Sequence, residues 1–339
     1  HIYNYNIAKR RWLAIMIVAF MDLLGFSNLL RNNMEVAIDN LNTFNNVIKT
    51  RVIDNKCHPI EEYRENYPND VKFQQFVEKS SVTSFEQMIS FSDSLVLGGT
   101  DCNMFIKQLM NFVATVYIEY SEPFQKNFTD INQVTTYKVA EGCGSGSIQY
   151  HKAFPILFRG GLSVGNDVTF WDEYCINDSD FKISSRNVMG LTYLNAVKLE
   201  SVGKGPRLFC DKSLVDAVDD EINKYIKLVD SEKEIYEIVW TIEGCEATGC
   251  CSSNKWSNVI NRINDKMLPA AINLYKYYQK DKGLEPQYKE LLNLVCVGIV
   301  KYAKDECNRE NEAIHYINQV FQEKHIQVID GSLLEDFIG

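Results

Sequence analysis

Apolar and polar positions along the chain divide it into short strands followed by longer helices. Trp12 to Phe20 is a compact apolar run containing Ile15, Ile17 and Val18, which predicts a buried strand. It leads into Met21-Asp22-Leu23-Leu24-Gly25-Phe26-Ser27, which reads as a strand end and a turn. Asn28 to Val47 carries helical spacing at Leu29, Leu30, Met34, Ala37, Ile38 and Leu41. Phe85 to Ser90 and Ser94 to Leu97 flank Phe91-Ser92-Asp93 and predict a hairpin with an acidic tip. A second helix is expected over Cys102 to Tyr120, loop over Phe124 to His151, and a strand over Phe154 to Phe158 ahead of Arg159-Gly160-Gly161. A third helix follows over Gly190 to Ser201, then a strand at Arg207 to Cys210, a helix over Lys212 to Lys227 and an alternating strand at Ile235 to Ile242. Beyond Trp256 the pattern is helical over Val259 to Lys276, Tyr288 to Tyr302 and Asn311 to Gln322. The expected fold class is α+β over residues 10–245, with a polar insertion at 51–81 holding Pro59 and Pro68, and a helical C-terminal extension over 255–325.

Composition narrows the function classes. The chain has 339 residues, 45% of them hydrophobic, enough for a folded core and against general disorder. Thirty-five Lys and Arg against 45 Asp and Glu give a net charge of -10, which argues against nucleic acid as a partner. No segment reaches the ~18 to 20 apolar residues of a membrane span; the best run, Trp12 to Phe26, is short and holds Asp22. Ten cysteines without repeating spacing suit reduced thiols and a cytoplasmic location. Cys245, Cys250 and Cys251 cluster without a nearby His and read as ordinary loop or packed thiols. Gly142 to Ser147 lacks the Lys of a phosphate-binding loop.

Two acids draw attention. Asp22 ends an apolar strand, where a carboxylate costs free energy unless it is paired or binds a cation. Asp93 lies between two short strands. Two carboxylates brought together repel, and Mg²⁺ relieves this with one or two carboxylates plus substrate phosphates. Taken singly, each Asp also suits a turn or a helix cap. Arg159 beside two glycines could fork onto a phosphate, or lie at the surface beside a bulge.

Taken together, the segments resemble the class III nucleotidyl cyclases. Ala19 to Ser27 resembles their first metal motif, Ser90-Phe91-Ser92-Asp93-Ser94 the second, Phe158 to Gly165 their R-x-G-I-x-x-G strand, and Gly190 to Glu200 their G-x-x-x-x-x-A-x-R-L-E helix, all in family order. The variants F-S-D-S and R-G-G-L-S are most similar to the pyrimidine nucleotide cyclases of Pycsar antiphage defence. The resemblance implies a ferredoxin-like palm sheet over residues 10–245 and says nothing of the tail. It implies two Mg²⁺ or Mn²⁺ ions on Asp22 and Asp93 with the carbonyl of Leu23, Arg159 on the β and γ phosphates, Lys198 in place of the family's transition-state Arg, and Phe26 and Ser27 in a loop under the phosphates.

Departures from the family pattern bear on the base. Ile89 stands where purine cyclases carry Lys or Glu, and Asn187 where adenylyl cyclases carry Asp. Leu194 occupies the place of a family Asn, with Asn195 next to it. The reading is a uridylate or cytidylate cyclase converting UTP or CTP to cyclic UMP or cyclic CMP, a homodimer with shared active sites whose product activates an effector. Two alternatives stay open: an adenylyl or guanylyl cyclase, and a degenerate cyclase-like module that binds nucleotide and regulates a partner.

Overall fold

The computed structural model describes residues 15–32, 34–49, 83–125, 135–139, 148–152, 155–176, 182–246 and 263–326, with isolated positions between them. The insertion expected over 51–81 lies outside them apart from Val52, Pro68, Asn69 and Val71, and so do Gly142 to Ser147, Cys250 and Cys251. In chain order the elements are β1 (Met16–Leu23), α1 (Phe26–Asn32), α2 (Met34–Ile48), β2 (Gln87–Phe91), β3 (Ser94–Gly99), α3 (Cys102–Tyr120), α4 (Glu122–Gln125), β4 (Thr135–Val139), β5 (Ile148–Lys152), β6 (Phe158–Gly165), β7 (Thr169–Ile176), β8 (Lys182–Met189) and α5 (Leu191–Glu200). There follow β9 (Leu208–Asp211), α6 (Lys212–Val215), α7 (Asp220–Asn223), β10 (Ile226–Asp230), β11 (Ile235–Ile238), α8 (Thr241–Glu246), a π-helical turn (Ile263–Met267), α9 (Leu268–Tyr278), α10 (Glu285–Cys307) and α11 (Glu310–Glu323).

Among the described residues one seven-stranded sheet runs in the order β10-β11-β9-β6-β1-β3-β2. Every neighbouring pair is antiparallel except β6 and β9. The α+β expectation holds, with β1 near the middle of the sheet between β6 and β3. Alternation along β1 then decides what each residue meets. Ile17, Ala19, Met21 and Leu23 enter the main core with Phe105, Leu109 and Val113 of α3. Val18 enters a second cluster with Val96, Val168 and Ala196, flanked by Phe20, Phe170, Val188 and Tyr193, so this face is roofed by α5 and the β7–β8 hairpin. Asp22 falls on the Val18 side.

Helix α5 sits hard against β6 because Gly161 has no side chain. A Cβ there would lie 2.1 Å from the Ala196 carbonyl oxygen and 2.7 Å from the Glu200 nitrogen. The helix begins at Gly190, whose φ of +134° suits glycine. Its exposed first amides are capped from outside by Asp167, whose carboxylate accepts from Leu191 N at 3.1 Å and Thr192 N at 3.1 Å. Those bonds hold the Asp167 carboxyl below its ordinary value, the Thr192 hydroxyl contributing most.

The main core continues without a break into the C-terminal helices, including Trp240, Tyr288, Leu291, Val295 and Ile317. Polar ties reinforce the seam. Tyr117 Oη donates to the Met267 carbonyl at 2.7 Å, Thr241 Oγ1 to the Leu294 carbonyl at 2.7 Å, and Arg207 forks onto Glu237 while facing Glu290 of α10.

Several local expectations need correction. The strand expected at 154–158 is β6, which starts at Phe158, so Arg159-Gly160-Gly161 lies within it; Pro155 cannot donate to a ladder. Within the stretch read as loop over 124–151, β4 and β5 pair as an antiparallel hairpin that runs on to Lys152. The helix expected over 212–227 is two short helices and the start of β10; Asp219 caps the second by accepting from Ile222 N, which restarts the helix. The run 235–242 is a strand only to Ile238, then α8. The first helix is two, α1 and α2. Strands β7 and β8 are not predicted by the apolar and polar pattern of the chain.

Gly161→Ala is expected to lower stability by about 3 kcal/mol, because backbone atoms of α5 must move. Gly283→Ala, whose new methyl meets only Asp281 Oδ1 at 3.4 Å, serves as the neutral control. Paired denaturant melts read the difference; equal midpoints would remove Gly161 as the seat of α5.

Candidate active site

The site grows from the end of β1. The register places Asp22 opposite Ser94 of β3 on one side and Arg159 of β6 on the other. Ser94 Oγ donates to Asp22 Oδ1 at 3.1 Å. Arg159 donates to Asp22 Oδ2 from Nη2 at 3.0 Å and from Nε at 3.3 Å. Asp93 arrives on the turn between β2 and β3. That turn is only Ser92-Asp93, with Ser92 at φ 53°, a conformation that side chains rarely adopt. The Asp93 carbonyl accepts from Leu23 N at 2.9 Å, so the acidic tip is tied to the backbone one residue past Asp22.

The electrostatics follow from this crowding. Burial raises the Asp22 carboxyl above its ordinary value, and the charge of Asp93 pushes the same way. Hydrogen bonds from Arg159 and Ser94 and the Arg159 charge oppose both. Asp22 therefore feels Asp93 although the two are far apart in the sequence, one residue closer than the 72-residue Asp22–Ser94 spacing.

A third carboxylate joins them. Glu200, the last residue of α5, has its side chain 11% exposed, with Oε1 2.5 Å from Arg159 Nε. Burial raises the Glu200 carboxyl; the Arg159 charge lowers it and the Asp22 charge raises it. Glu200 was visible in the sequence as the end of the helix motif but carried no role there. What placed it is the contact of α5 with Gly161.

The other expected residues divide. Arg159 is expected to reach for phosphates, yet its guanidinium is engaged by Asp22 and Glu200. Phe26 is expected in a loop under the phosphates, but it starts α1 and its side chain is in the main core, 3% exposed. The turn before it is too short for a loop: Gly25 takes φ 81° and the helix begins at once. Ser27 is exposed in the first turn of α1. Lys198 and Asn195 are exposed on α5, Asn195 beside the face that buries Thr192, Ala196 and Leu199 and Lys198 further round. Asn187 is half-buried on β8 with Trp171 as its strand partner. Ile89 is half-buried on β2 in the second apolar cluster. Leu23 has a buried side chain. Cys245 is a buried free thiol.

Among the described residues no group of three or more His, Cys, Asp or Glu is arranged to hold a metal. The oxygen donors of Asp22 and Asp93 fit a hard divalent ion that takes the rest of its ligands from phosphates and water. The raised Asp22 carboxyl marks a place where added positive charge is favourable. Among the described residues no helix is long and apolar enough to cross a membrane.

No family model and no curated protein matches the chain. Solved structures similar to it include the adenylyl cyclase CyaB from P. aeruginosa, 12% identical, over 66% of this chain and 93% of that one, with a TM-score of 0.37. A Trypanosoma brucei adenylate cyclase in its monomeric state is 9% identical, over 68% and 90%, with a TM-score of 0.38. The guanylate cyclase domain of RhGC from Catenaria anguillulae in complex with GTP is 11% identical, over 67% and 96%, with a TM-score of 0.34.

Since burial disfavours the ionised Asp22, removing its charge is expected to help the metal-free fold. Asp22→Asn should raise the thermal midpoint in EDTA by a few degrees, with Arg159 still held by Glu200. A lower midpoint would show that the Arg159–Asp22 pair outweighs the burial cost.

Proposed function

We propose that the chain is a nucleotidyl cyclase, a phosphorus–oxygen lyase whose substrate is a pyrimidine nucleoside triphosphate, UTP or CTP. One observation supports the reading: Asp22 and Arg159 are hydrogen-bonded at the end of β1, and the backbone of Asp93 is tied to the next residue, Leu23. Asp22 and Asp93 would hold Mg²⁺ or Mn²⁺, with the Leu23 carbonyl as a further oxygen donor. Such ions supply Lewis acidity at the 3′-hydroxyl and the α-phosphate.

The chain's own groups do the rest. Ser94 fixes the rotamer of Asp22 by donating to Oδ1. Arg159, one-third exposed, can turn its fork to the β and γ phosphates once a cation replaces it at Asp22. The backbone of Phe26 and the Ser27 side chain border the turn where the triphosphate would lie. The ribose 3′-hydroxyl gives its proton to solvent as its oxygen attacks the α-phosphorus in line, the bond to the β-phosphate bridging oxygen breaks, and a 3′,5′-cyclic nucleotide and pyrophosphate result.

Lys198 and Asn195 face outward on α5 beside exposed Leu191 and Leu194. This supports a homodimer in which Lys198, Asn195 and Asn187 of a second copy complete each site, Lys198 meeting the α-phosphate and the amides the base. Half-buried, apolar Ile89 offers no hydrogen bond to a purine edge, and an Asn amide can present a donor and an acceptor to uracil or cytosine. The cytoplasmic location, the role of the cyclic nucleotide in antiphage signalling and its effector belong to the same proposal and are supported by the motif resemblance. So does the division into a catalytic domain over 10–245 and a helical extension over 255–325.

The purified chain incubated with each of the four nucleoside triphosphates and Mn²⁺ should yield cyclic UMP or cyclic CMP by mass spectrometry. Cyclic AMP or GMP would replace the pyrimidine assignment with a purine one, and no product from any of them would leave a nucleotide-binding regulatory module. Asp22→Ala and Lys198→Ala should each be inactive. Their mixture should recover about a quarter of the wild-type rate, because half the dimers are mixed and each has one whole site of two. No recovery would count against shared sites.

A further inference from the structure

The Arg159 guanidinium is contested. Its Nε–H is directed at Asp22 Oδ2, 3.3 Å away, while Glu200 Oε1 is nearer, at 2.5 Å, but off the N–H axis. Glu200 Oε1 is fully buried and has no hydrogen bond. A buried carboxylate oxygen ion-paired to a guanidinium whose Nε–H is aimed elsewhere gains less than an aligned, charge-assisted hydrogen bond would give. A small rotation of the Arg159 side chain would give Nε–H to Glu200 and take it from Asp22. Glu200 itself has little room to move, since Gly161 holds its backbone against β6.

We propose that Glu200 is a positioning residue that draws Arg159 off Asp22 and so keeps the Asp22 carboxylate available to a divalent cation. This rests on Asp22 being a metal ligand, as in the function proposed above. In the metal-free chain Arg159 is shared. When a cation takes Asp22, Arg159 passes to Glu200 as its remaining anionic partner, and its Nη atoms are free to turn toward a triphosphate. Glu200 acts through Arg159 and needs no contact with substrate.

The test is Mn²⁺ binding to the full chain without nucleotide, read from the electron paramagnetic resonance signal of free Mn²⁺. Glu200→Gln should weaken binding about tenfold, as Arg159 settles on Asp22 alone. Arg159→Gln should bind at least as tightly as wild type, which tests the competition without altering Glu200. In the Arg159→Gln background Glu200→Gln should have no further effect. The idea is overturned if Glu200→Gln matches wild type, if Arg159→Gln binds more weakly, or if the tenfold loss persists without Arg159, which would make Glu200 a simple source of negative charge. It is also overturned if wild type binds no Mn²⁺ at millimolar concentration. Turnover of the four triphosphates by wild type is measured separately. Failure there removes the cyclase reading, whereas the Mn²⁺ titrations decide the part played by Glu200.

Discussion

The close seating of α5 on β6 is the constraint from which the site follows. It needs a glycine at 161 and a small residue at 196, because helix backbone and strand backbone nearly touch there. The approach fixes where the helix ends, and the helix ends at Glu200. The strand beneath carries Arg159, and its neighbour carries Asp22 at the matching register position. A backbone packing decision therefore sets which charges meet.

Those charges do not balance. Asp22, Asp93 and Glu200 contribute three negative charges when ionised and Arg159 one positive, a local excess of two. Water can satisfy such an excess at a surface, but Asp22 and Glu200 are largely removed from it. The raised carboxyls record that cost. A place short of positive charge and rich in carboxylate oxygen is one where a hard cation would lower that cost.

Much of this was legible in the sequence, for definite reasons. The apolar run around Ile17 with an acid at its end located β1 and Asp22, since few patterns are as restrictive as a charge in a buried strand. Helix α3 was recovered at its true limits because its apolar residues keep helical spacing over many turns and Asp101 caps it. Phe26 was misplaced because spacing alone cannot show whether a chain leaves a turn as loop or as helix. The β7–β8 hairpin escaped because its strands do not alternate clearly between apolar and polar residues. Glu200 was quoted but given no work, since its partner lies on another element and no local pattern marks a contact of that kind.

The position of β1 has a consequence for how the molecule is made. Asp22 finds Ser94 72 residues later and Arg159 137 residues later. During synthesis this apolar strand emerges before both of its neighbours and must wait for them to leave the ribosome. Such long-range pairing slows folding and prolongs the exposure of sticky surface. The nascent chain is thus expected to lean on chaperones until β6 has been translated, so that the acid at the end of β1 reaches its surroundings only late in the birth of the protein.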